Sequence, residues 1–114
     1  MTSTPAVAER LAAAVAAGYG RPPPAAMRAR AEELLIDIAG LAVAARKSDY
    51  VAAVLGACEE EGSCTAFGHR RGFSAGEAAL INGTAAHGED FDDTFEGGPV
   101  HAGAVVVPAV LAAC

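Results

Sequence analysis

The sequence predicts an all-α fold, a bundle-like set of helices around a core of small residues. Apolar residues recur every three or four positions over most of the chain, which is the spacing of one helix face. Hydrophobic residues make up 53% of the 114 residues but aromatic residues only 5%, so Ala, Val and Leu must supply most of the core. One exception is expected at residues 64–73, where Gly68 and Gly72 favour a loop or a short hairpin.

The first helix is predicted to begin with Thr4 as the N-cap and Pro5 in the first helical position. Proline is favoured there because the N–H that it lacks would have no partner inside the helix. The helix is expected to end at Gly18 or Gly20. Three prolines at residues 22–24 then interrupt the helical pattern, because each ring fixes φ and restricts the preceding residue.

The second helix is predicted to begin at this proline break, and from Met27 onward it has the clearest periodicity in the chain. Gly40 lies inside it and is expected to mark a close contact with another helix, since a residue without a Cβ lets two backbones approach. The apolar positions of this helix are Ala31, Leu34, Leu35, Ile38, Leu41, Ala42 and Ala45.

Two serines predict the starts of the next helices. Ser48 precedes a segment that is predicted to be helical until Gly62. Ser74 and Glu77 match the capping box, in which each side chain accepts a hydrogen bond from the other residue's backbone N–H. A helix over residues 75–86 is expected to follow, and its Ala- and Gly-rich composition predicts tight packing against a neighbour.

A final apolar helix is predicted over residues 102–114. It contains Pro108, is apolar nearly all round and reaches Cys114 without a polar turn or a glycine cap. We therefore expect the chain to be truncated, with a missing part of the protein covering this helix. The helix is too short to span a bilayer, which takes about 20 apolar residues.

The overall composition excludes several classes of function. The net charge of −6 argues against a nucleic-acid partner, since such proteins need a basic face. The sequence has no recognisable membrane span or signal peptide, so a cytoplasmic protein is expected. Cys58, Cys64 and Cys114 lack C-x-x-C spacing, so idle thiols are expected rather than a disulfide framework or a zinc site.

The segment from His87 to His101 concentrates the reactive side chains of the chain. Its neighbouring carboxylates repel one another, so the cluster must be solvated, bound to a cation or paired with basic groups. Three interpretations compete: a solvated acidic loop, a divalent-metal site and a general acid/base site. The acids of this segment are Glu89, Asp90, Asp92, Asp93 and Glu96.

The metal interpretation rests on Glu89-Asp90-x-x-Asp93, which resembles the acidic motif of magnesium-dependent helical prenyl-diphosphate enzymes. His87 or His101 could complete such a site. The acids run into glycines and a proline instead of continuing a helix, which disfavours this interpretation. In the acid/base interpretation, a carboxylate orients an imidazole that moves protons near neutral pH.

A specific pattern runs through the segment: Asn82-Gly83-x-x-Ala86-His87-x-x-Asp90-Phe91-Asp92-Asp93-Thr94, followed by His101 and Pro108-Ala109. This pattern resembles the signature of the MmgE/PrpD family, which includes 2-methylcitrate dehydratase and cis-aconitate decarboxylase. The resemblance covers the chain from Ala25 onward, and residues 30–40 are similar to the family's opening helix. The later His of those enzymes is commonly followed by Pro-Ser, whereas Ala102 and Gly103 follow it here, so the substrate stays open.

The resemblance implies that residues 1–114 are part of a large helical domain, without the smaller α/β domain of the family. It also implies a homodimeric lyase with no metal or organic cofactor. Such an enzyme makes or breaks a C–H bond next to the carboxylate of a small di- or tricarboxylic acid, while water or carbon dioxide leaves. A chain of this length is expected to be inactive by itself, because other catalytic residues of the family lie further along.

The resemblance further implies catalytic roles for three residues: His101 as the proton carrier, Thr94 as a hydrogen-bond donor and Asp90 as a holder of the active geometry. Three more residues match the motif and are expected to bind substrate, although loop capping and supporting hydrogen bonds are equally open roles for each. These residues are His87, Asp92 and Asp93.

An anionic substrate would be repelled by the acids of this segment unless cations from elsewhere set the sign of the pocket. The nearest basic group in the sequence is His69-Arg70-Arg71, for which a solvated turn is the simpler interpretation. A contrasting hypothesis is a non-catalytic helical remnant or interaction module that retains the motif without its chemistry.

Overall fold

A computed structural model describes residues 5–114, and the chain divides into two compact units, one through Arg30 and one from Ala31 onward. Within the described residues, five helices and one two-stranded hairpin confirm the predicted all-α fold with a short hairpin. The elements are α1 (Val7–Gly18), α2 (Ala25–Ala45), α3 (Asp49–Ala57), β1 (Cys64–Thr65), β2 (Gly72–Phe73), α4 (Ala75–His87) and α5 (Ala102–Ala113).

Helix α1 begins later than the sequence predicts. Ala6 is its N-cap, and the Glu9 carboxylate accepts a hydrogen bond from the Ala6 N–H at 2.9 Å. This contact satisfies a backbone donor at the helix start. Because Ala6 is the N-cap, Pro5 precedes the helix, and its predicted place as the first helical residue is wrong. The predicted cap at Thr4 lies outside the described residues. After the helix, Gly20 adopts a left-handed conformation with φ of 74°, which a glycine tolerates without strain.

Helix α2 begins at Ala25, directly after the three prolines, as predicted. Its buried positions are Ile38 and Ala42. Gly40 is exposed, and a Cβ placed there would meet nothing within 4 Å. The predicted close contact at Gly40 is therefore wrong, because this residue lies away from the face that α2 buries.

Helix α3 starts as predicted, with the Ser48 hydroxyl accepting a hydrogen bond from the Val51 N–H at 3.4 Å. It ends at Ala57, so the predicted end at Gly62 is wrong. Gly62 lies instead against the hairpin, where a Cβ would collide with the carbonyl group of Phe73. Glycine is needed at this position for the close approach of two backbones.

The hairpin consists of two antiparallel strands of two residues each. Gly68 adopts a left-handed conformation with φ of 81° in the connection between them. Cys64 pairs with Phe73, and Thr65 pairs with Gly72. A hairpin this short is marginal by itself and depends on contacts with its surroundings.

The buried Asn82 side chain attaches the hairpin connection to α4. Its Oδ1 accepts a hydrogen bond from the Phe67 N–H at 2.7 Å, and its Nδ2 donates to the Thr65 carbonyl at 2.9 Å. Both partners are backbone groups, so one amide side chain fixes the hairpin against the helix.

Helix α4 is capped by the Ser74 hydroxyl, which accepts a hydrogen bond from the Glu77 N–H at 3.4 Å. The reciprocal half of the predicted capping box is wrong. The Glu77 carboxylate instead accepts hydrogen bonds from the N–H groups of Glu59 and Glu60, at 2.9 and 3.0 Å. The Glu77 carboxylate therefore binds two backbone N–H groups of a distant segment instead of the Ser74 N–H at the helix start.

Helix α4 is central to the second unit and contacts α3, α5 and both strands. Gly83 confirms the tight packing that the sequence predicts, because a Cβ there would lie 2.9 Å from the Ala104 carbonyl oxygen of α5. The largest fully buried side chains are Phe73, Ile38, Ile81, Val51 and Pro108.

Helix α5 runs through the buried Pro108 and exposes several aliphatic side chains on its other side. None of the helices in residues 5–114 is long and apolar enough to cross a membrane. The thiols of Cys58, Cys64 and Cys114 are free, and burial raises the pKa of Cys58.

Candidate active site

A tight turn at the end of α4 sets the path of the loop from residue 88 to residue 100. His87 is the last residue of the helix, and its carbonyl accepts a hydrogen bond from the Asp90 N–H at 2.8 Å. Asp90 has a left-handed backbone with φ of 57°, an uncommon conformation for a residue with a side chain. Gly88 lies against the Tyr50 ring, which leaves no room for a Cβ. This turn returns the following acids towards His87.

Asp92 lies beneath the end of α4 with its side chain fully buried. Its two carboxylate oxygens lie 3.0 and 3.2 Å from Nδ1 of His87, which donates the hydrogen bond. This hydrogen bond, with the charge of Asp92 and a smaller contribution from Asp90, raises the pKa of His87 above the ordinary histidine value.

His101 is the N-cap residue of α5 and brings a second imidazole to the same carboxylate. Its Nδ1 lies 3.3 Å from Oδ1 of Asp92, and its Nε2 lies 3.4 Å from Oδ1 of Asp90. The buried Nδ1 makes no hydrogen bond, because proximity to Asp92 is not matched by alignment. The rings of His87 and His101 meet edge to face with centroids 4.8 Å apart.

Asp93 and Thr94 are separate from this cluster. The Asp93 carboxylate accepts a hydrogen bond from the Gly103 N–H at 2.8 Å, so it caps the N-terminus of α5 and favours that helix end electrostatically. Gly103 has no space for a Cβ because the Asp93 carboxylate fills it. Thr94 is exposed on the loop. The motif residues therefore form three groups. Asp93 caps a helix, Thr94 is an exposed hydroxyl, and the remaining residues form a four-residue cluster of His87, Asp90, Asp92 and His101.

A cavity of about 800 Å³ opens beside the two imidazoles. Its walls come from α3, α4 and α5, and both His87 and His101 line it. Four of the predicted residues do not line it: Asp90, Asp92, Asp93 and Thr94. Asp90 and Asp92 instead contact the imidazoles that do line it. The lining residues are Tyr50, Ala79, Leu80, Gly83, Thr84, His87, Gly88, His101, Ala104 and Val105.

Sequence reasoning missed Tyr50 and Thr84, which both line the cavity. The Tyr50 hydroxyl donates a hydrogen bond to Oε1 of Glu89 at 3.1 Å, which links α3 to the loop. Tyr50 lies in α3 and is separated from the motif by the hairpin, so spacing along the chain gives no signal for it. Thr84 lies inside the motif pattern, one turn before His87, and that helical spacing could have found it.

The basic group at residues 69–71 does not supply a charge to this cavity. Arg71 donates a hydrogen bond to the Cys58 carbonyl at 2.9 Å, and its guanidinium lies 4.7 Å from the centre of the Phe73 ring. These contacts attach the hairpin to the end of α3. No lysine or arginine is among the cavity-lining residues in the described part of the chain.

Comparison with known proteins identifies the family of the chain. The family model of the MmgE/PrpD N-terminal domain matches residues 9–114. The chain belongs to the MmgE/PrpD family. It is 30% identical, over 93 residues, to the cis-aconitate decarboxylase-like protein oryM of Aspergillus oryzae. That match covers 79% of this chain but 19% of the relative, so the chain spans about a fifth of its length. No solved structure matches the chain.

The cluster in this MmgE/PrpD chain also has the composition of a metal site. His87, Asp90, Asp92 and His101 each offer one ligand atom, and these atoms lie within 4.8 Å of one another. Two imidazoles and two carboxylates suit a divalent transition metal. They suit a shared proton equally well, since the Nδ1 of His87 already donates to Asp92. Either a shared proton or a metal ion would balance the charge of the two carboxylates.

Proposed function

We propose that this chain is the N-terminal part of a lyase that acts on small di- or tricarboxylic acids by proton transfer next to a carboxylate. The observation that carries the proposal is a pair of imidazoles, His87 and His101, that line a cavity while sharing the buried Asp92. Imidazoles titrate near neutral pH and are suited to taking a proton from carbon. Family membership agrees with this chemistry.

In this proposal His101 is the proton carrier, and Asp90 holds its ring from the loop side at 3.4 Å. Thr94 would donate a hydrogen bond to the substrate from its exposed position on the loop. Asp93 supports the site indirectly, because it caps the helix whose first turn follows His101. His87 and Asp92 are proposed to take part in substrate binding.

The cavity walls are apolar apart from the imidazoles, Tyr50 and Thr84, so they contribute no fixed anion that would repel a carboxylate. A protonated imidazole would attract one carboxylate of the substrate. Further cations would come from the remainder of the enzyme, which is proposed to be a cytoplasmic homodimer without a cofactor. Dehydration, decarboxylation and isomerisation all include the transfer of a proton to or from carbon.

The magnesium-dependent prenyl-diphosphate alternative has little support in the geometry. Glu89 accepts a hydrogen bond from Tyr50, and Asp93 caps α5, so the motif acids do not share one helix face. A non-catalytic remnant is the remaining alternative, and activity measurements distinguish it from the lyase.

The test is an assay of the full-length gene product against 2-methylcitrate, cis-aconitate and related acids. Deuterium exchange at the carbon next to the carboxylate is followed by NMR, which detects proton transfer whichever group leaves. A His101→Ala variant should lose about 10²–10⁴-fold in turnover while its circular dichroism and dimer remain unchanged. Wild-type turnover in that variant would refute the role of His101, and inactivity of the wild type towards every acid would favour the remnant.

A further inference from the structure

We infer that His87 is a second catalytic residue of this cavity, the proton donor that complements His101, and that Asp92 is its positioning residue. The inference rests on the proposed function, since it assigns a division of work to the same site. The motif alone does not give this assignment. It depends on which ring nitrogen of each histidine makes a hydrogen bond and on which side chains line the cavity.

The first step is the orientation of the His87 ring. Nδ1 donates to a carboxylate whose side chain is fully buried, while about half of the imidazole remains exposed. Since Nδ1 is occupied, Nε2 is the ring nitrogen that can reach a substrate in the cavity that His87 lines. A buried carboxylate that fixes the tautomer and supports the charge of an imidazole is the arrangement found in hydrolytic triads.

The second step is the charge of the pair. Two imidazolium rings with centroids 4.8 Å apart repel each other, so protonation of one disfavours protonation of the other. Oδ1 of Asp92 lies 3.0 Å from Nδ1 of His87 and 3.3 Å from Nδ1 of His101, but only the His87 ring is aligned for a hydrogen bond with it. This difference in alignment assigns the role of proton donor to His87 and leaves the role of base to His101.

Other titratable groups near His87 agree with this assignment. Asp90 on the loop adds to the negative charge around the ring and contributes to its raised pKa. Tyr50 of α3 reaches the same cavity, but its hydroxyl donates to Glu89. The neighbours of His87 are thus two carboxylates, one imidazole and a phenol, and no lysine or arginine lines the cavity among the residues described.

The proton balance of dehydration uses both rings. His101 takes the proton from the carbon next to the carboxylate, which leaves a carbanion whose electron pair then forms the carbon–carbon double bond. The C–O bond breaks, and the leaving hydroxide takes the proton of His87 to become water. In decarboxylation the C–C bond to the carboxylate breaks, carbon dioxide leaves, and the carbon takes the proton of His87. Each reaction therefore requires one proton from the enzyme.

The experiment compares three variants of the full-length gene product on its best dehydration substrate. His87→Gln should lower kcat by about 10²–10⁴-fold, while deuterium exchange at the substrate carbon, which depends on His101, continues. Asp92→Asn should shift the basic limb of the kcat/KM profile to lower pH, because the His87 pKa falls without its partner. His69→Gln is the matched control, since it is the same substitution outside the cavity, and it should leave both measurements unchanged.

The outcomes separate this inference from the proposed function. If the wild type turns over an acid and His87→Gln does so equally fast, the donor role is wrong and the lyase proposal stands. Loss of exchange together with turnover in His87→Gln would also refute the donor role. An unmoved basic limb in folded Asp92→Asn would refute the positioning role. If the wild type acts on none of the acids, the proposed function itself fails.

Discussion

Replacement of Asn82 by alanine is expected to destabilise the unit that begins at Ala31, because this side chain holds the hairpin connection against α4. Asn82 is 3% exposed and makes two hydrogen bonds with backbone groups, to the N–H of Phe67 and the carbonyl of Thr65. Alanine removes both hydrogen bonds at once. It also leaves the Phe67 N–H and the Thr65 carbonyl without these partners.

The magnitude follows from the number of contacts and their burial. Two hydrogen bonds at about 1 kcal/mol each give a loss of about 2 kcal/mol. Unsatisfied backbone groups in a partly buried region add to this loss, which brings the expected total to about 2–4 kcal/mol. Asn82→Asp should lose at least as much as alanine, because a carboxylate would be buried and one of its oxygens would face the Thr65 carbonyl where Nδ2 now donates.

Urea unfolding followed by circular dichroism measures this change directly. The midpoint should fall while the m-value is unchanged, which indicates a loss of stability in the same folded state. Thr94→Ala serves as the control, since an exposed side chain is expected to contribute less than about 0.5 kcal/mol. A change as small as this for Asn82→Ala would show that the hydrogen bonds do not hold the hairpin.

Three further predictions follow from other contacts. Ser74→Ala removes the hydroxyl that accepts from the Glu77 N–H, so unfolding should cost about 1 kcal/mol less in urea titrations; an unchanged midpoint would contradict the cap. Because Asp92 raises the pKa of His87, their interaction should stabilise the fold fully below the ordinary value of 6.5 and cease to do so as pH rises through the raised pKa. The stability difference between wild type and His87→Gln should therefore shrink at alkaline pH, and a difference that grows there would refute the pairing. Dialysis against EDTA should leave turnover of the full-length enzyme unchanged, and recovery of lost activity on adding zinc would instead assign the four-residue cluster to a metal.

Features of the fold that depend on neighbouring residues were predictable from the sequence. The caps at Ser48 and Ser74 are examples, because a serine hydroxyl reaches the backbone N–H three residues later in the same chain segment. Contacts between distant segments were not predictable. Glu77 binds the amides of Glu59 and Glu60, and Gly62 approaches the carbonyl of Phe73, so both were misread from local patterns.

The same distinction applies to the candidate site. The motif identified the residue types and the family, because imidazoles and carboxylates are recognisable in sequence. The contact of Asp92 with both imidazoles was not predictable. It depends on the left-handed backbone at Asp90 and on the position of His101 near the end of α4. Tyr50 reaches the cavity from α3, and only the packing of α3 against α4 brings it there.

The outer side of α5 affects how any measurement of oligomeric state must be interpreted. Val105, Val106 and Val110 are 70%, 54% and 53% exposed, and Leu111 is 44% exposed. An aliphatic stripe of this kind favours self-association at the concentrations used for scattering or NMR. A dimer detected with these 114 residues could thus form through α5 and have a different symmetry from the homodimer proposed for the full-length enzyme. Val105→Lys distinguishes the two dimers, since it should dissociate a dimer that forms through α5.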